Sequence, residues 1–431
     1  MTDDKALADR IEALMPVAAR LFDDLAARTG DGVGITRASY GPGEQAAFDL
    51  LKTAAQELGF APAPDAAGNL IVRLDGTAPG GAGVVTGSHL DSVPVGGNFD
   101  GAAGAVAALI ALAALRDTRG PHAEHITAMG IRGEETAWFS IHHIGSRAAL
   151  GLLPAEEIAT ARRFDSGHTL ERHMAETGCD LDALRRGEPT WPPAEIRAFL
   201  ELHIEQGPVL VERNRPTGIV SGIRGNMRAR TARCLGAYAH SGAVPRDMRQ
   251  DALLAAAEFA TRAEAEWERL LHQGRDLVLT FGKFHTDPAQ HSHNKVPGEV
   301  LFSIDARSIE AETLDHVEAT LTALAAEISA RRGVTLDLGP IRRTRPAVMD
   351  AGLRAALRDG ATRLGVDAMD IASGGGHDAG DFANAGVPSA MVFVRNPNGS
   401  HNPDEAMALE DFCEGTKLLA AGLSAAASPP S

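Results

Sequence analysis

The chain has 431 residues, enough for a large core and for two domains. Its 44% apolar and 23% charged residues are those of a soluble globular protein and exclude a disordered chain, and the formal net charge of −16 argues against nucleic acid or an anionic membrane as a partner. Three widely spaced cysteines, Cys179, Cys234 and Cys413, with no C-x-x-C pair, exclude a disulfide framework and a thiolate zinc site and suit a reducing compartment.

The first residues, "MTDDKALADRIEALMPVAARLFDDLA", are acidic and amphipathic, without the basic and apolar regions of a signal peptide. The longest apolar run, "GAVAALIALAAL", is too short to span a bilayer, so the expected location is the cytoplasm. From about residue 43 to 207, helical and strand patterns alternate. "EQAAFDLLKTAAQELGF" has helical spacing, "NLIVRLDG" and "GVVTGSHLD" read as strands, and a buried helix follows from Ala102. "HITAMGIRGEE" and "IRAFLELHIEQG" are further strands that run into polar residues. This alternation predicts an α/β sheet with helices on both faces.

Near Thr217 the pattern changes. "TGIVSGIRGNMRARTARCLGAYAHSG" alternates like a β-ribbon, and an Ala-rich helix spans about 251–271. "DLVLTFGKF", "GEVLFSIDARS", a helix near 311–332 and "GVTLDLGP" complete a β-α-β-β-α-β order, which is ferredoxin-like. We therefore expect an α/β catalytic domain, 1–216 and 336–431, interrupted by an inserted domain at 217–335. "PSAMVFV" reads as a late core strand of the first.

The chemistry-bearing residues fall where strands end, which is where open α/β sheets bind ligands. They are His89 and Asp100 in "GSHLDSVPVGGNFDG", Glu134 and Glu135 in "RGEETAWF", His203 in "ELHIEQG" and His401 in "GSHNPDE". Taken singly, a loop histidine is usually a surface or core residue, and Asp100 reads equally well as a helix cap. Taken together, His89, Asp100, Glu135, His203 and His401 form a nitrogen-and-oxygen set suited to zinc, manganese, cobalt or nickel. Five such side chains crowd one ion but leave open positions on two that share a carboxylate.

"HLDSVPVGGNFDG", "GEE", "GSRAALG", "ELHIEQGPVL", "AHSGAVPRDMRQDAL", "NKVPG", "IDARS", "SGGGHDA" and "GSHNPDE" follow in this order over nearly the whole chain. In this the chain resembles the di-metal amidases that include N-carbamoyl-L-amino acid hydrolases, β-ureidopropionases and allantoate amidohydrolases, within the zinc aminoacylase and carboxypeptidase superfamily. The resemblance implies a zinc-peptidase-like α/β catalytic domain whose insertion is a lid and dimerisation domain. It implies that His89, Asp100 and His203 hold one divalent ion and Asp100, Glu135 and His401 the other, zinc first, with manganese, cobalt or nickel as alternatives. Asp91 would accept the second N–H of His89. Glu134 would be the general base; the residues alone do not separate it from Glu135.

The same resemblance gives His240 the task of stabilising the oxyanion, Asn294 and Arg307 that of binding a substrate carboxylate, and Gln206 and Gly376 places beside the substrate. A strand-edge salt bridge to Asp305 is the plainer reading of Arg307. His377 falls in the same pocket motif as Gly376. No motif claims His142, His143, His291 or His293, which read as surface or packing residues.

Trp138 stands where many relatives have an arginine, and Arg246 adds a cation; both are expected to alter the pocket walls. The activity implied is hydrolysis of an N-carbamoyl-L-amino acid to amino acid, CO2 and ammonia by a homodimer. Allantoate, N-carbamoyl-β-alanine or an N-acyl amino acid are the alternative substrates. A non-catalytic binding component would lack the base, and a structural metalloprotein would show closed cysteine sites; neither pattern is present.

Overall fold

The apolar run that ends in His89 forms the strand Gly83–His89, buried from Val84 onward. It lies parallel to Ile126–Ile131 on one side and to Ile196–Ile204 on the other. Ser389–Val394 runs parallel beside Ile196–Ile204. Covered on both faces, these strands read as near-continuous apolar sequence rather than as an alternation. Antiparallel strands flank the four, Leu70–Leu74 beside Ile126–Ile131 and Thr217–Ile223 beside Ser389–Val394, in a sheet of nine strands among the described residues. The computed structural model describes residues 2–77 and 83–428.

Register decides where the chemistry falls. His89 pairs with Ile131, and His203 with Phe393, so the carboxyl ends of the four parallel strands lie along one edge of the sheet. The helix Ala102–Thr118 is buried from Ala102 through Leu115, as its lack of a polar face requires. Gly101 caps it with φ 66°, and a Cβ there would lie 2.4 Å from the His89 ring, so only glycine lets this helix start against that histidine. Asp100, immediately before, makes no capping bond; its side chain is left for other work. The N-terminal helix Thr2–Thr29 buries Leu7, Ile11, Leu14, Ala18, Leu21 and Leu25, one face at helical spacing, in the same core. Among the described residues no helix is long and apolar enough to cross a membrane.

The chain divides into two units, Met1–Ser221 with Met349–Ser431, and Gly222–Val348. The sequence reading placed the insertion at 217–335. Two pairings set different edges: most of Thr217–Ile223 lies in the first unit and pairs with Ser389–Val394, while Ile341–Thr344 pairs with Gly225–Leu235 in the second. The apparent ribbon is thus two strands broken at Arg224.

The second unit has the β-α-β-β-α-β order. Its sheet runs Thr335–Asp337, Gly225–Leu235, Glu299–Ser308, Val278–Thr286, with every pair antiparallel, as in ferredoxin-like folds. The helices Ala252–His272 and Ala311–Arg332 bury Ala256, Phe259, Leu314, Val317 and Leu321 against Phe302 and Ile304. Val278–Thr286 is an edge strand, mostly exposed.

Candidate metal and catalytic site

Along the carboxyl edge of the four parallel strands, the first unit gathers the six side chains expected there. His89 Nδ1 lies 3.0 Å from the Asp91 carbonyl oxygen, and His203 Nδ1 lies 2.9 Å from the Ile204 carbonyl oxygen. A carbonyl only accepts, so each ring carries its hydrogen on Nδ1 and presents a lone pair at Nε2. The two Nε2 atoms are 3.3 Å apart, and the Gly101 N–H points at the one on His203 (3.2 Å). Asp100 Oδ1 stands 3.2 Å from His203 Nε2 and 3.6 Å from His89 Nε2. It is buried without a hydrogen-bond donor among the described residues. Three lone-pair atoms converging in a buried space are satisfied by a cation.

The other Asp100 oxygen belongs to a second set. Oδ2 lies 3.2 Å from His401 Nε2, which is 3.5 Å from Glu135 Oε1. His89, Asp100 and His203 thus form one three-residue group that could hold a metal ion and Asp100, Glu135 and His401 another, with Asp100 common to both. Gln206 Nε2 donates to Asp100 Oδ2 at 3.0 Å, and the Ser400 hydroxyl is 2.6 Å from the same oxygen.

The electrostatics agree with a site built for positive charge. Burial pushes the Glu135 carboxyl well above its usual range, and the neighbouring Glu134 and Asp100 charges add to it. Burial acts the same way on Asp100, but the His203, His401 and His89 imidazoles, when protonated, outweigh it and hold its carboxyl well below the usual range. The Asp100 hydrogen bond lifts His401 to about 9. Without a cation, protons must neutralise this cluster; divalent ions do so without protonating the ligands.

Asp91 sits underneath. Its carboxylate accepts the main-chain N–H groups of Glu134 (3.0 Å) and Glu135 (3.1 Å) and the Ser39 hydroxyl (2.6 Å). Its side chain is farther from His89 Nδ1, at 3.4 Å, than its own carbonyl is. Asp91 therefore aims the two glutamates as much as it orients the histidine. Glu134 Oε2 faces His89 Nε2 at 3.9 Å.

Several residues at this edge had no signal of their own in the sequence. Buried Glu405 accepts the N–H groups of Phe99 and Asp100. Fully buried Arg37 donates to the Leu90 carbonyl (2.7 Å) and to Asn98, tying together the loops that carry His89 and Asp100. In "GSHNPDE" only His401 has the pattern of a ligand, so Glu405 carries no signal; Arg37 is an arginine on a loop. His143 was set aside as packing, but its Nε2 is 2.9 Å from Glu134 Oε1. Gly376 lies beside it: a Cβ there would be 3.4 Å from His143 Nε2. His377 is buried, its Nε2 2.8 Å from the Ser373 hydroxyl and its ring 4.5 Å from that of His203.

Trp138 does not behave as the sequence suggested. Its indole N–H donates to the Ser92 carbonyl (2.7 Å) and its ring packs in an apolar cluster with Tyr40, Phe139 and Ile144, so it fills a core rather than a pocket wall.

The second unit carries the remaining candidates. His240 is exposed in the short strand Ala239–His240, opposite Lys295, and the Ser241 N–H donates to the Asn294 carbonyl (3.0 Å). His240 and Asn294 are therefore neighbours. Arg307 is not beside them. It lies near the far end of Glu299–Ser308, about 25 Å away at roughly 3.3 Å per residue. Its guanidinium forks onto Asp305 at 3.0 and 3.2 Å, and Arg228 shares that carboxylate at 2.9 Å. Within one chain Asn294 and Arg307 do not form a pair. Arg246 is exposed.

Paired strand-end histidines, a shared aspartate and a flanking Glu-Glu form two adjoining groups that could each hold a metal ion, the donor set of a metal-dependent hydrolase. A family model described as Peptidase family M20/M25/M40 matches residues 85–425, and the chain belongs to that family. The N-carbamoyl-L-amino acid amidohydrolase of Geobacillus stearothermophilus is 35% identical over 388 residues, 90% of this chain and 92% of that one. The allantoate amidohydrolase of Bacillus subtilis (strain 168) is 32% identical over 392 residues, 91% of this chain and 92% of that one. The crystal structure of an amidase of the hydantoinase/carbamoylase family from Burkholderia multivorans superposes with a TM-score of 0.82 at 29% identity, covering 96% of this chain and 98% of that one. The family and the amidohydrolase activity expected from the motifs are those of these relatives.

Proposed function

We propose that the protein hydrolyses the linear C–N bond of an N-carbamoyl-L-amino acid, releasing the amino acid, CO2 and ammonia. The observation that carries this reading is the division of Asp100: one oxygen faces His89 and His203, the other faces His401 beside Glu135, and Glu134 stands next to the first set. Two divalent ions held there, zinc first and manganese, cobalt or nickel as alternatives, would polarise an amide carbonyl and acidify water.

The side chains do the rest. Glu134 takes a proton from water at Oε2 and passes it to the leaving nitrogen. Asp91 keeps Glu134 and Glu135 aimed through their main-chain N–H groups. Gln206 and the Gly376 main chain contact the ureido end. His240 donates to the carbonyl oxygen as negative charge develops. Arg307 binds the substrate carboxylate, its fork sharing charge with Asp305.

The spacing of His240 and Asn294 from Arg307 supports a homodimer, in which His240 and Asn294 of one copy serve the site of the other. The exposed edge strand Val278–Thr286 is the surface we assign to that pairing. The cytoplasm is the proposed location, in keeping with three free cysteines.

A panel of N-carbamoyl-L-amino acids, N-carbamoyl-β-alanine, allantoate and N-acyl amino acids, given to metal-reconstituted enzyme, tests the reading. Ammonia release together with a ninhydrin-positive product from the carbamoyl substrates is expected. Turnover of the N-acyl compounds alone would overturn the ureido assignment, and turnover of allantoate alone would move it to that substrate.

A further inference from the structure

His143 has no place in the scheme above, yet the fold ties it to Glu134 twice. Its main-chain N–H donates to the Glu134 carbonyl (3.0 Å), and its Nε2 lies 2.9 Å from Glu134 Oε1. Its other nitrogen, Nδ1, lies 2.5 Å from Asp381 Oδ2. The residue sits at φ 49° and ψ 51°, a left-handed conformation that a side chain with a Cβ enters only when its surroundings hold it there. The holding contacts are visible. Asp381 lies on the helix Asp378–Asn384, and Asp378 of that helix accepts the Ser146 hydroxyl (2.6 Å) of the helix Ile144–Ala149, which His143 caps. Two contacts thus clasp these helices together, one of them the imidazole.

We propose that His143, oriented by Asp381, is a positioning residue that holds Glu134 Oε1 so that Oε2 faces the metal-binding nitrogens. A glutamate has three rotatable side-chain bonds, and a general base must be held close to its productive geometry. A charge-assisted bond to one oxygen removes the rotation that would carry the other away. The distances show this division: Oε1 at 2.9 Å from His143, Oε2 at 3.9 Å from His89 Nε2. Burial opposes a charge on His143, but Glu134 and Asp381 outweigh it and raise its pKa well above the usual value, so both nitrogens donate. His142, His143 and Asp381 also lie close enough to ring an ion, but a His143 that donates from both nitrogens has no lone pair for one. The inference rests on Glu134 as the base.

The test uses full-length, metal-loaded enzyme with N-carbamoyl-L-alanine as the probe. His143→Ala should lower kcat about 10- to 100-fold, change KM less than about twofold and leave two metal ions per chain. His143→Gln, which keeps a donor within reach of Oε1, should recover part of that loss. Asp381→Asn should lower kcat less than His143→Ala, and the double variant should be no slower than His143→Ala. A second readout needs no turnover. In 15N-histidine NMR the His143 Nε2 should carry a proton whose resonance moves in Glu134→Gln and in Asp381→Asn; a bare Nε2, or a resonance indifferent to both changes, overturns the proposal. So does a His143→Ala enzyme with kcat within twofold of the native, or one that loses metal or raises KM in step with its loss of rate. If Glu134→Gln itself keeps its kcat, the base assignment fails; if Glu134→Gln is slow and His143→Ala is fast, only the role of His143 fails.

Discussion

The two units treat charge in opposite ways. In the first, Asp91, Asp100, Glu134, Glu135, His89 and His203 are almost completely buried, each fixed by a main-chain or side-chain partner. In the second, pairs such as Arg262–Glu327 and Arg343–Glu318 lie at the surface, and His240 is exposed. Burying like charges is costly unless a cation or a hydrogen-bond network compensates, and Asp100 Oδ1, buried without a donor among the described residues, is the atom of the first arrangement that a cation would satisfy. The second needs no such compensation, and its His240 stands open to solvent.

That contrast can be broken at its strongest point first. Asp100→Ala removes one ligand atom from each three-residue set, and metal content and activity should both fall to background, the rate by at least about 1000-fold. Elemental analysis beside the assay checks this; an active Asp100→Ala enzyme would end the shared-ligand reading. Glu134→Gln should instead keep both ions and lose about 100- to 10,000-fold in kcat, because only the proton acceptor is gone.

On the second unit the expected effects are smaller. Arg307→Ala should cost about 2–3 kcal/mol, or on the order of 30- to 150-fold in kcat/KM, with a carboxylate substrate. The corresponding carboxamide should hardly notice the change. Equal losses on acid and amide would make Arg307 a partner of Asp305 and nothing more. Light scattering should return a dimer at assay concentration, and charges introduced on the edge strand, as in Phe284→Lys, should shift it towards monomer; Phe284 is exposed there.

The smallest effect belongs to a surface pair. Arg269, with help from His316, pulls the Glu266 carboxyl down to about 2. A depressed carboxylate stabilises the fold above its unfolded value of roughly 4.3 and loses that contribution as pH falls through the folded value. Glu266→Gln should therefore cost less than about 1 kcal/mol near neutrality, since Arg269 is nearly half exposed, and the difference should vanish near pH 2. Denaturant titrations at both pH values measure it. A stability cost well above about 1 kcal/mol near neutrality would contradict the reading of this pair as a solvent-screened surface contact.

Local sequence sets the strand-end placement of His89, Glu134, Glu135 and His203. Apolar runs closed by glycine and polar residues are local signals, set by backbone sterics and by burial on both faces. It also determined the β-α-β-β-α-β order of the insertion, because periods of 2 and 3.6 residues are legible within one segment. Tertiary structure decided the rest. Parallel register brings His89, Ile131 and His203 to one edge, and nothing within any single strand records its neighbour's register. Asp381 reaches His143, and Glu405 reaches Asp100, across hundreds of residues of chain; a lone Asp or Glu in a helix or loop looks the same whether solvated or aimed at a site. The insertion's edges moved because Thr217–Ile223 and Ile341–Thr344 are claimed by different sheets, a long-range pairing that alternation alone cannot express. Asn294 and Arg307, close in sequence, are held apart because the extended strand Glu299–Ser308 carries the chain about 3.3 Å per residue away from the short strand pair next to Asn294.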